Sequence, residues 1–177
     1  MNNRSSRIHI VGSCGCGKST LSYKLSKKLN IEHIELDDLF WLPGWNHIGK
    51  ERLYKVVEEK LNNKDSWIIS GNYSNIQTLI HQKCDTIIWL DYYFLTVLSR
   101  LFYRTFRRVF LKEECCNGNR ESLIKTFLDK ESIILWMISN FKRRKRFYSN
   151  LKNELKDSDI NFIHLTKPSQ VKNLLKI

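Results

Sequence analysis

Residues 12–20 read Gly-Ser-Cys-Gly-Cys-Gly-Lys-Ser-Thr, and this stretch decides the fold. Positions 12–19 match the pattern G-x-x-x-x-G-K-[ST] in full. An apolar run at 8–11 precedes the match, and leucines at 21, 25 and 29 follow it at steps of four, which is the spacing of one helix face. A strand, a glycine-rich turn and a helix are the context in which this pattern forms a phosphate-binding loop.

The loop carries the groups that bind a nucleoside triphosphate. Small residues let backbone N–H groups curl around phosphate oxygens. Lys18 is spaced to reach the β and γ phosphates, and Ser19 offers a hydroxyl to Mg²⁺. The sequence therefore predicts ATP and Mg²⁺ as cofactors. The predicted ATP-binding residues are Gly12, Ser13, Cys14, Gly15, Cys16, Gly17, Lys18, Ser19 and Thr20.

Five short apolar runs alternate with longer segments of helical periodicity. The runs cover residues 8–11, 31–36, 67–69, 86–90 and 161–165. Strands buried on both faces and separated by helices form parallel sheets, because a two-residue turn cannot connect parallel strands. We therefore expect an α/β fold, the three-layer α/β/α P-loop NTPase fold with a five-stranded parallel sheet.

The fourth and fifth runs are separated by about seventy residues, far more than an ordinary crossover needs. The pattern predicts a helix at 94–109, a polar break at 111–119 that resembles a mobile lid, and a long helix at 121–149. We predict one domain over residues 1–177 with a lid-like insertion at about 108–122. The residues expected to face inward from the long helix are Leu123, Phe127, Ile134, Ile138 and Phe141.

Charge and cysteine content bear on the binding partners and the cellular compartment. The net charge of +12 lies mostly after position 99 and suggests an anionic partner, without choosing among nucleic acid, phosphorylated metabolites and acidic lipid surfaces. The five cysteines lack the spacing of a disulfide framework and favour reduced thiols. Residues 1–7 are polar and resemble neither a signal peptide nor a membrane span. We expect a cytoplasmic monomer or homodimer that does not bind membranes.

Two other classes of site are disfavoured. Guanine-specific proteins carry N/T-K-x-D, whereas the nearest string here, Thr166 to Ser169, ends in a serine that cannot accept the paired hydrogen bonds of guanine. The cysteines of the phosphate loop and the adjacent Cys115 and Cys116 lack the spacing and number of ligands of a zinc site.

Several motifs together make the chain resemble a known group of proteins. They are the loop at 12–20, Leu36-Asp37, Trp41-Leu-Pro-Gly-Trp45, Trp67-Ile-Ile-Ser-Gly-Asn-Tyr73, Ile87-Ile-Trp-Leu-Asp91 and Arg100-x-x-x-Arg104. Over nearly its whole length the chain resembles the adenylate kinase-related proteins known as DNA topology modulation proteins of the FlaR type. The resemblance implies a fold like that of the nucleoside monophosphate kinases with a helical lid insertion, and the activity of a small-molecule kinase.

Polar and aromatic side chains follow the second and third predicted strands. At the carboxyl edge of a parallel sheet, Asp37 and Asp38 would lie over the phosphate crevice. The alternative is that they belong to a solvent-exposed turn. The resemblance implies that Asp37 orients the acceptor or helps to hold Mg²⁺ through water. Trp41 and Trp45 could equally cap the core or form a wall for the acceptor. Asn72 and Tyr73, after the third strand, could bind the acceptor or belong to a simple turn. The predicted substrate-binding residues are Asp37, Asp38, Trp41, Trp45, Asn72 and Tyr73.

Arginines are expected around the transferred phosphoryl group, where a guanidinium stabilises the developing negative charge. Arg100 and Arg104 lie four residues apart on one helix face and, by the resemblance, mark the start of the lid. Arg120 and Arg143 or Arg144 are expected to close from the far side, although the basic run at 142–146 also fits a solvated helix face. The predicted catalytic residues are Lys18, Asp37, Arg100, Arg104 and Arg120, and the predicted metal ligands are Ser19 and Asp37.

Ser70 departs from the pattern that the resemblance implies. An Asp is expected before Gly71, where its carboxylate would orient the water shell of the metal. Asp37 is the first expected substitute and Asp91 the second, although Asp91 equally fits a cap on the following helix.

Three functions are compatible with these observations. The first is an ATP-dependent kinase, EC 2.7-like, that transfers phosphate to a nucleotide or another small hydroxylated or phosphorylated acceptor. The second is a DNA-binding regulator switched by nucleotide, in which the basic second half binds nucleic acid. The third is a protein that binds ATP but has lost catalysis at Ser70, in which Ser70→Asp would restore activity.

Overall fold

The computed structural model describes residues 6–122 and 132–176. In chain order, the elements are β1 Arg7–Gly12, α1 Lys18–Leu29, β2 His33–Glu35, α2 Leu36–Phe40, a 3₁₀ turn at Pro43–Trp45, α3 Lys50–Asn62, β3 Trp67–Ser70, α4 Ser74–Lys83, β4 Thr86–Leu90, α5 Phe94–Phe110, β5 Glu114–Cys115, β6 Asn119–Arg120, α6 Ile133–Glu154, β7 Asn161–Leu165 and α7 Pro168–Leu174.

Five parallel strands form the main sheet in the order β2-β3-β1-β4-β7. This confirms the predicted five-stranded parallel sheet. β1 lies at the centre, between β3 and β4. In the register of the sheet, Ser70 pairs with Ile10 on one side and with Glu35 on the other. The ends of β1, β2 and β3 therefore meet at one edge, beside the loop that follows Gly12.

Helices cover both faces of the sheet, as the continuous apolar runs of its strands require. On one face, α1, α5, α7 and the first turns of α6 pack on residues such as Ile10 and Ile88. On the other face, α3, α4 and the end of α6 pack on residues such as Ile69 and Ile87. Successive strand residues point to opposite faces, so each strand contributes to both cores. The predicted three-layer architecture is confirmed.

Some predicted boundaries need correction. β2 ends at Glu35 rather than at 36, so Asp37 and Asp38 lie in the first turn of α2, where the helix dipole favours acidic residues. Of the helix predicted at 121–149, residues 123–131 lie outside the described residues. The described helix runs from Ile133 to Glu154, and the Ser132 hydroxyl caps its start by accepting from Ile134 N–H. Residues 121 and 122 are not helical.

The predicted apolar faces of two helices are correct only in part. Leu29 and Ile138 were expected inward but are 42% and 44% exposed, whereas Leu21 and Ile134 are buried. Leu123 and Phe127, two further residues of the predicted inward face, lie outside the described residues. No helix in the described ranges 6–122 and 132–176 has both the length and the apolarity needed to cross a bilayer.

The polar break predicted at 111–119 contains a small antiparallel hairpin. β5 and β6 pair through Glu114 with Arg120 and Cys115 with Asn119. The turn between them, residues 116–118, has positive φ angles of 40°, 60° and 78°. The described part of the insertion thus includes a β-hairpin between two helices.

Candidate phosphate-binding loop and acceptor cleft

The loop between β1 and α1 approaches its neighbours so closely that glycine is required at two positions. A Cβ at Gly12, where φ is 144°, would lie 2.6 Å from the Leu90 carbonyl oxygen of the next strand. A Cβ at Gly15, where φ is 83°, would lie 2.9 Å from Cβ of Leu101 on α5. The loop is therefore held between β4 and α5, with its backbone pressed against both.

Lys18 lies over the loop from the first turn of α1. Its ammonium donates hydrogen bonds to the carbonyl oxygens of Gly12 and Ser13, at 3.2 and 3.1 Å. Ser19 and Thr20 follow on the exposed side of the same turn. The first turn of a helix also presents free backbone N–H groups and the positive end of the helix dipole. These are the elements of an anion site.

Asn72 holds the start of the loop. Its Nδ2 donates to the Gly12 carbonyl at 2.6 Å, and the Gly12 N–H donates to its Oδ1 at 3.4 Å. Tyr148 of α6 donates its hydroxyl to the same Oδ1 at 2.8 Å. The side chain that was expected to face the acceptor is thus engaged with the loop, and it joins β3, the loop and α6.

Two predicted arginines of α5 contact the loop from its outer side. Arg100 donates to the Cys16 carbonyl at 3.4 Å, and its guanidinium lies 5.3 Å from the ring centre of Tyr92. Arg104, one turn later, lies 3.8 Å from the sulfur of Cys14. The four-residue spacing therefore places both cations along the loop, and their predicted role at the transferred phosphoryl group stays a prediction.

A cleft of ≈ 710 Å³ opens beside the loop at the edge where β2 and β3 end. Its walls come from the loop and α1, from β2 and α2, and from the segment after α5. Predicted site residues that line it are Cys14, Ser19, Asp37, Asp38, Trp41, Trp45 and Arg104. Described residues that line it without having been predicted include Tyr23, His33, Glu35, Arg108, Cys115, Cys116, Glu121, Ser122 and Ile133.

Glu35 is the carboxylate that lies beside the loop residue Ser19. Its Oε2 accepts a hydrogen bond of 2.8 Å from Ser70, whose oxygen lies 2.9 Å from Nε2 of His33. Because Ser70 donates to Glu35, it accepts from His33. Burial raises the pKa of Glu35, while hydrogen bonds from the Ser19 and Ser70 hydroxyls oppose the rise. Burial lowers the pKa of His33, which favours a neutral ring.

Asp37 and Asp38 form the second acidic group of the cleft. Tyr73 donates its hydroxyl to Oδ1 of Asp37 at 2.8 Å, so this tyrosine stands behind the carboxylate. Burial raises the pKa of Tyr73, and the negative charge of Asp37 adds to that effect. Burial, followed by the charge of Asp37, raises the pKa of Asp38. The two carboxylates thus differ in environment, and Asp37 has the fixed orientation.

The hairpin β5–β6 is fastened to the aromatic loop after α2. Asn119, 4% exposed, accepts a hydrogen bond of 2.8 Å from the Trp45 N–H and donates to the Leu42 carbonyl at 2.9 Å. Asn117 donates to the carbonyls of Asp38 and Trp41, both at 2.6 Å. Trp41 and Trp45 pack edge to face, 5.6 Å apart. Both indoles therefore form a wall of the cleft beneath the hairpin.

Arg108 occupies the position in the cleft that was expected for Arg120. Arg120 points outward on the hairpin and pairs with Glu114 at 2.9 Å. Arg108 is on the helix face of Arg104 and pairs with Glu121 at 2.8 Å, while Arg104 lies 3.8 Å from the same carboxylate. The arginine spacing of four continues from 100 and 104 to 108, and this signal was present in the sequence.

Asp91, the second expected substitute for an acid at position 70, is engaged elsewhere. Its Oδ2 lies 3.0 Å from Nε2 of His164 and 3.2 Å from Nζ of Lys145. Glu35, adjacent to Ser70 in the sheet register, is the carboxylate beside that serine. Glu35 could have been recognised in the sequence because it is an acidic residue at the end of an apolar strand.

Parts of the basic run on α6 make specific contacts within the protein. Arg144 stacks 4.5 Å from the ring centre of Trp136, and Arg143 donates to Asn140 at 2.6 Å. Lys145 pairs with Asp91. Three residues of the run thus make contacts within the protein, while Lys142, Arg143, Lys145 and Arg146 are exposed.

The donor set beside the loop fits Mg²⁺. The Ser19 hydroxyl lies within hydrogen-bonding reach of Glu35, and both groups line the cleft next to the loop. Hydroxyl and carboxylate oxygens are the ligands that Mg²⁺ takes when it also keeps several waters. Within residues 6–122 and 132–176, no group of three or more His, Cys, Asp or Glu side chains forms a cage for a metal.

The parallel sheet and the glycine-rich loop together define a P-loop α/β protein with the fold of the small-molecule kinases. The chain is 32% identical over 129 residues to the uncharacterized protein YqaC of Bacillus subtilis (strain 168), covering 71% of each protein. It belongs to the same family as YqaC.

A second curated protein is also similar in sequence. The chain is 29% identical over 111 residues to a shikimate kinase of Sulfurihydrogenibium sp. (strain YO3AOP1), which covers 53% of this chain and 65% of that protein. No protein-family model matches the chain. The resemblance to the FlaR-type group is not confirmed by these comparisons and stays a prediction.

Two solved structures have a similar fold. The first is a shikimate kinase from Bacteroides thetaiotaomicron, with a TM-score of 0.56, 16% identity and coverage of 97% of this chain and 94% of that chain. The second is a gluconokinase from Sinorhizobium meliloti 1021, with a TM-score of 0.55, 10% identity and coverage of 98% and 89%. At this level of identity the likeness concerns the fold.

Proposed function

We propose that this protein is an ATP-dependent phosphotransferase that moves the γ phosphate of ATP to a hydroxyl of a small acceptor bound in the cleft. One observation carries the proposal. Ser19 of the phosphate loop and Asp37 of the acceptor side line the same cleft, so a phosphate on the loop and a hydroxyl at Asp37 would share one space.

The loop supplies the nucleotide side of the reaction. Lys18 already lies at the centre of the loop, within 3.2 Å of two of its carbonyls, which is where the β and γ phosphates bind in such loops. Arg100 adds a second cation at the Cys16 carbonyl. Together, these charges would stabilise the negative charge that spreads over the oxygens of the transferred group.

Asp37 is the proposed orienting base for the acceptor hydroxyl. Its Oδ1 accepts from Tyr73, which leaves its other oxygen to accept a hydrogen bond from the acceptor. A carboxylate in this role holds the attacking oxygen in line and takes its proton as the new bond forms.

Ser19 and Glu35 are the proposed residues of the magnesium site. When bound, Mg²⁺ would neutralise part of the phosphate charge. Ser70 and His33 hold Glu35 in place from behind, so their contribution is orientation. In this proposal Glu35 supplies the carboxylate that the resemblance implied at position 70, and it replaces Asp37 as the first candidate.

Arg104 and Arg108 suggest that the acceptor is anionic as well as hydroxylated. Both residues line the cleft together with Asp37 and Asp38. The names of the similar proteins, shikimate kinase and gluconokinase, fit a hydroxylated acid. A nucleotide is the other acceptor class, because the indoles of Trp41 and Trp45 offer flat apolar surfaces.

The segment at about 108–122 is the proposed lid over the acceptor. Its hairpin is attached to the loop of Trp41 and Trp45 by two asparagine side chains, and two of its residues, Cys115 and Cys116, line the cleft. Closing such a segment excludes water, which otherwise competes with the acceptor for phosphate.

The test is acceptor-dependent ADP release with Mg²⁺, measured over a panel of hydroxylated acids, sugars, nucleosides and nucleoside monophosphates. Lys18→Ala should abolish transfer, whereas Lys24→Ala, an exposed lysine of the same helix, should not change it. Acceptor-dependent turnover in the Lys18→Ala variant would refute the proposed ATP site at the phosphate loop. ATP binding without transfer to any class of acceptor would support a protein that has lost catalysis.

A further inference from the structure

An adjacent pair of thiols lies in the wall of the cleft. Cys115 ends β5 and Cys116 begins the turn of the hairpin, and both line the cleft. The two side chains are hydrogen-bonded to each other. Each is half-buried and unbridged, whereas Cys84 is buried at the opposite edge of the sheet. The proposed transfer reaction has no use for either thiol.

The surroundings of the two sulfurs differ in charge. Cys115 faces Arg108 and Arg104, with Glu121 opposing them, and Cys116 faces Asp37 and Asp38. The hydrogen bond from Cys116, helped by the two arginines, lowers the pKa of Cys115 to about 7. The same hydrogen bond, together with burial and the two aspartates, raises the pKa of Cys116. The surrounding charges therefore favour ionisation of Cys115 over ionisation of Cys116.

We propose that Cys115 and Cys116 form a peroxide-reactive dithiol, in which Cys115 is the reacting sulfur and Cys116 the resolving one. A thiolate next to guanidinium groups, open to a cleft and adjacent to a second thiol is the arrangement that reactive cysteines require. The substrate class is a small hydroperoxide, which the cleft of ≈ 710 Å³ admits readily.

Two steps complete the reaction. The Cys115 thiolate attacks one oxygen of the peroxide, the O–O bond breaks, and the leaving oxygen takes a proton to become water or an alcohol. The Cys116 sulfur then attacks the sulfenic acid sulfur and forms the disulfide, while the hydroxyl leaves as water with the Cys116 proton. The two thiols are oxidised by two electrons, which reduce the peroxide.

The disulfide would alter the cleft through Asn117, the next residue of the turn. The Asn117 side chain donates to the carbonyls of Asp38 and Trp41. Joining the two sulfurs changes the backbone of the turn at Cys116, where φ is 40°, and so disturbs this contact. We expect oxidation to weaken acceptor binding, and this consequence rests on the proposed function.

The first experiment does not depend on that function. The reduced protein is treated with a small excess of hydrogen peroxide and analysed by intact and peptide mass spectrometry. The expected product lacks two hydrogen atoms, within the peptide that contains both cysteines. Cys116→Ser should instead stop at a sulfenic acid that dimedone traps, and Cys115→Ser should react about tenfold more slowly.

Cys14→Ser and Cys84→Ala are the matched controls, and both should form the same product as the unmodified chain. Equal rates in Cys115→Ser, or a disulfide that includes Cys14, would overturn the proposal. The second experiment measures acceptor KM before oxidation, after oxidation and after reduction by dithiothreitol. A reversible rise is expected in the unmodified chain and not in Cys115→Ser. The disulfide without such a rise would refute only the link to acceptor binding.

Discussion

The Ser70 hydroxyl donates a hydrogen bond of 2.8 Å to Oε2 of Glu35, and this contact joins the ends of two neighbouring strands at the rim of the cleft. Ser70 is fully buried, so its hydroxyl has no access to solvent as an alternative partner. The carboxylate that the sequence pattern lacks at position 70 therefore lies one strand away. Glu35, rather than a residue at position 70, is therefore the proposed metal carboxylate.

The first prediction concerns the proposed magnesium carboxylate. Glu35→Gln keeps the shape of the side chain and removes its charge, so the Mg²⁺ concentration for half-maximal activity should rise by at least the roughly 10- to 100-fold that loss of an outer-shell partner costs. Ser70→Ala, which removes only the supporting hydrogen bond, should have a smaller effect in the same direction. Activity is measured against Mg²⁺ concentration, with Glu114→Gln on the exposed hairpin as the control.

Ser70→Asp was expected from the sequence to restore a missing acid. In the structure the new carboxylate would instead be buried beside Glu35, and two like charges in one buried site raise each other's pKa. We expect lower stability and no gain of activity. A clear increase in turnover would contradict the assignment of Glu35.

The second prediction concerns the clamp on the phosphate loop. Asn72→Ala removes both hydrogen bonds to Gly12 and leaves the Tyr148 hydroxyl without this partner. Each lost buried hydrogen bond costs about 1–3 kcal/mol of stability. ATP affinity should fall more than acceptor affinity, because the clamp contacts the loop. Isothermal titration with a non-hydrolysable ATP analogue tests this, and Asn75→Ala on α4 should leave the affinity unchanged.

The third prediction concerns the hairpin. Asn119→Ala removes the contacts with Trp45 N–H and with the carbonyls of Leu42 and Cys116. The hairpin should detach from the aromatic loop, which raises acceptor KM with a smaller change in ATP binding. Limited proteolysis should then cut within 111–122 faster than in the unmodified chain. Equal proteolysis rates would show that these contacts do not hold the hairpin.

The fourth prediction is a loss of stability in acid. His9, buried in β1, donates a hydrogen bond of 3.1 Å from Nε2 to the Gly71 carbonyl, and its ring lies 5.4 Å from that of His81. Burial, followed by the charge of His81, lowers the pKa of His9 to about 3. Burial lowers the pKa of His81 to about 4.

The direction of the change in stability with pH follows from proton binding by the two histidines in the folded and unfolded chain. The unfolded chain binds protons at both histidines below about pH 6.5, whereas the folded protein does not until the pH falls to about 4 and 3. The free energy of unfolding should thus fall as the pH drops below 6.5, by at most about 1.4 kcal/mol per pH unit for each histidine. Urea unfolding between pH 7 and 5 measures the slope. His81→Gln should flatten it, and His47→Gln, an exposed residue, should not.

The sequence predicted most of the sheet and the loop because their signals are local. The runs at 86–90 and 161–165 match β4 and β7 residue for residue. The phosphate loop is a contiguous motif, and the structure shows why glycine is needed at two of its positions: Gly12 and Gly15 lie too close to their neighbours for a Cβ atom. The helix at 94–109 was predicted to within one residue because its apolar stripe repeats over four turns.

The cleft was harder to predict because its walls come from distant parts of the chain. Arg120 and Arg108 differ little in their local patterns, yet one points outward with Glu114 and the other lines the cleft with Glu121. Which arginine faces inward depends on how the hairpin turns at 116–118. Asn72 was likewise expected at the acceptor, and only the packing of α6 beside the loop brings Tyr148 to it.

By itself, the sequence determined the phosphate loop, the parallel sheet and the class of fold, because hydrophobic periodicity and a contiguous glycine motif act over a few residues. The tertiary structure decided which polar groups meet. The pairing of Glu35 with Ser70 and the clamp of Asn72 on Gly12 join residues that are neighbours only across strands. The two thiols reach the cleft only because the hairpin packs against the aromatic loop. Such contacts depend on strand order and register, which no local pattern contains.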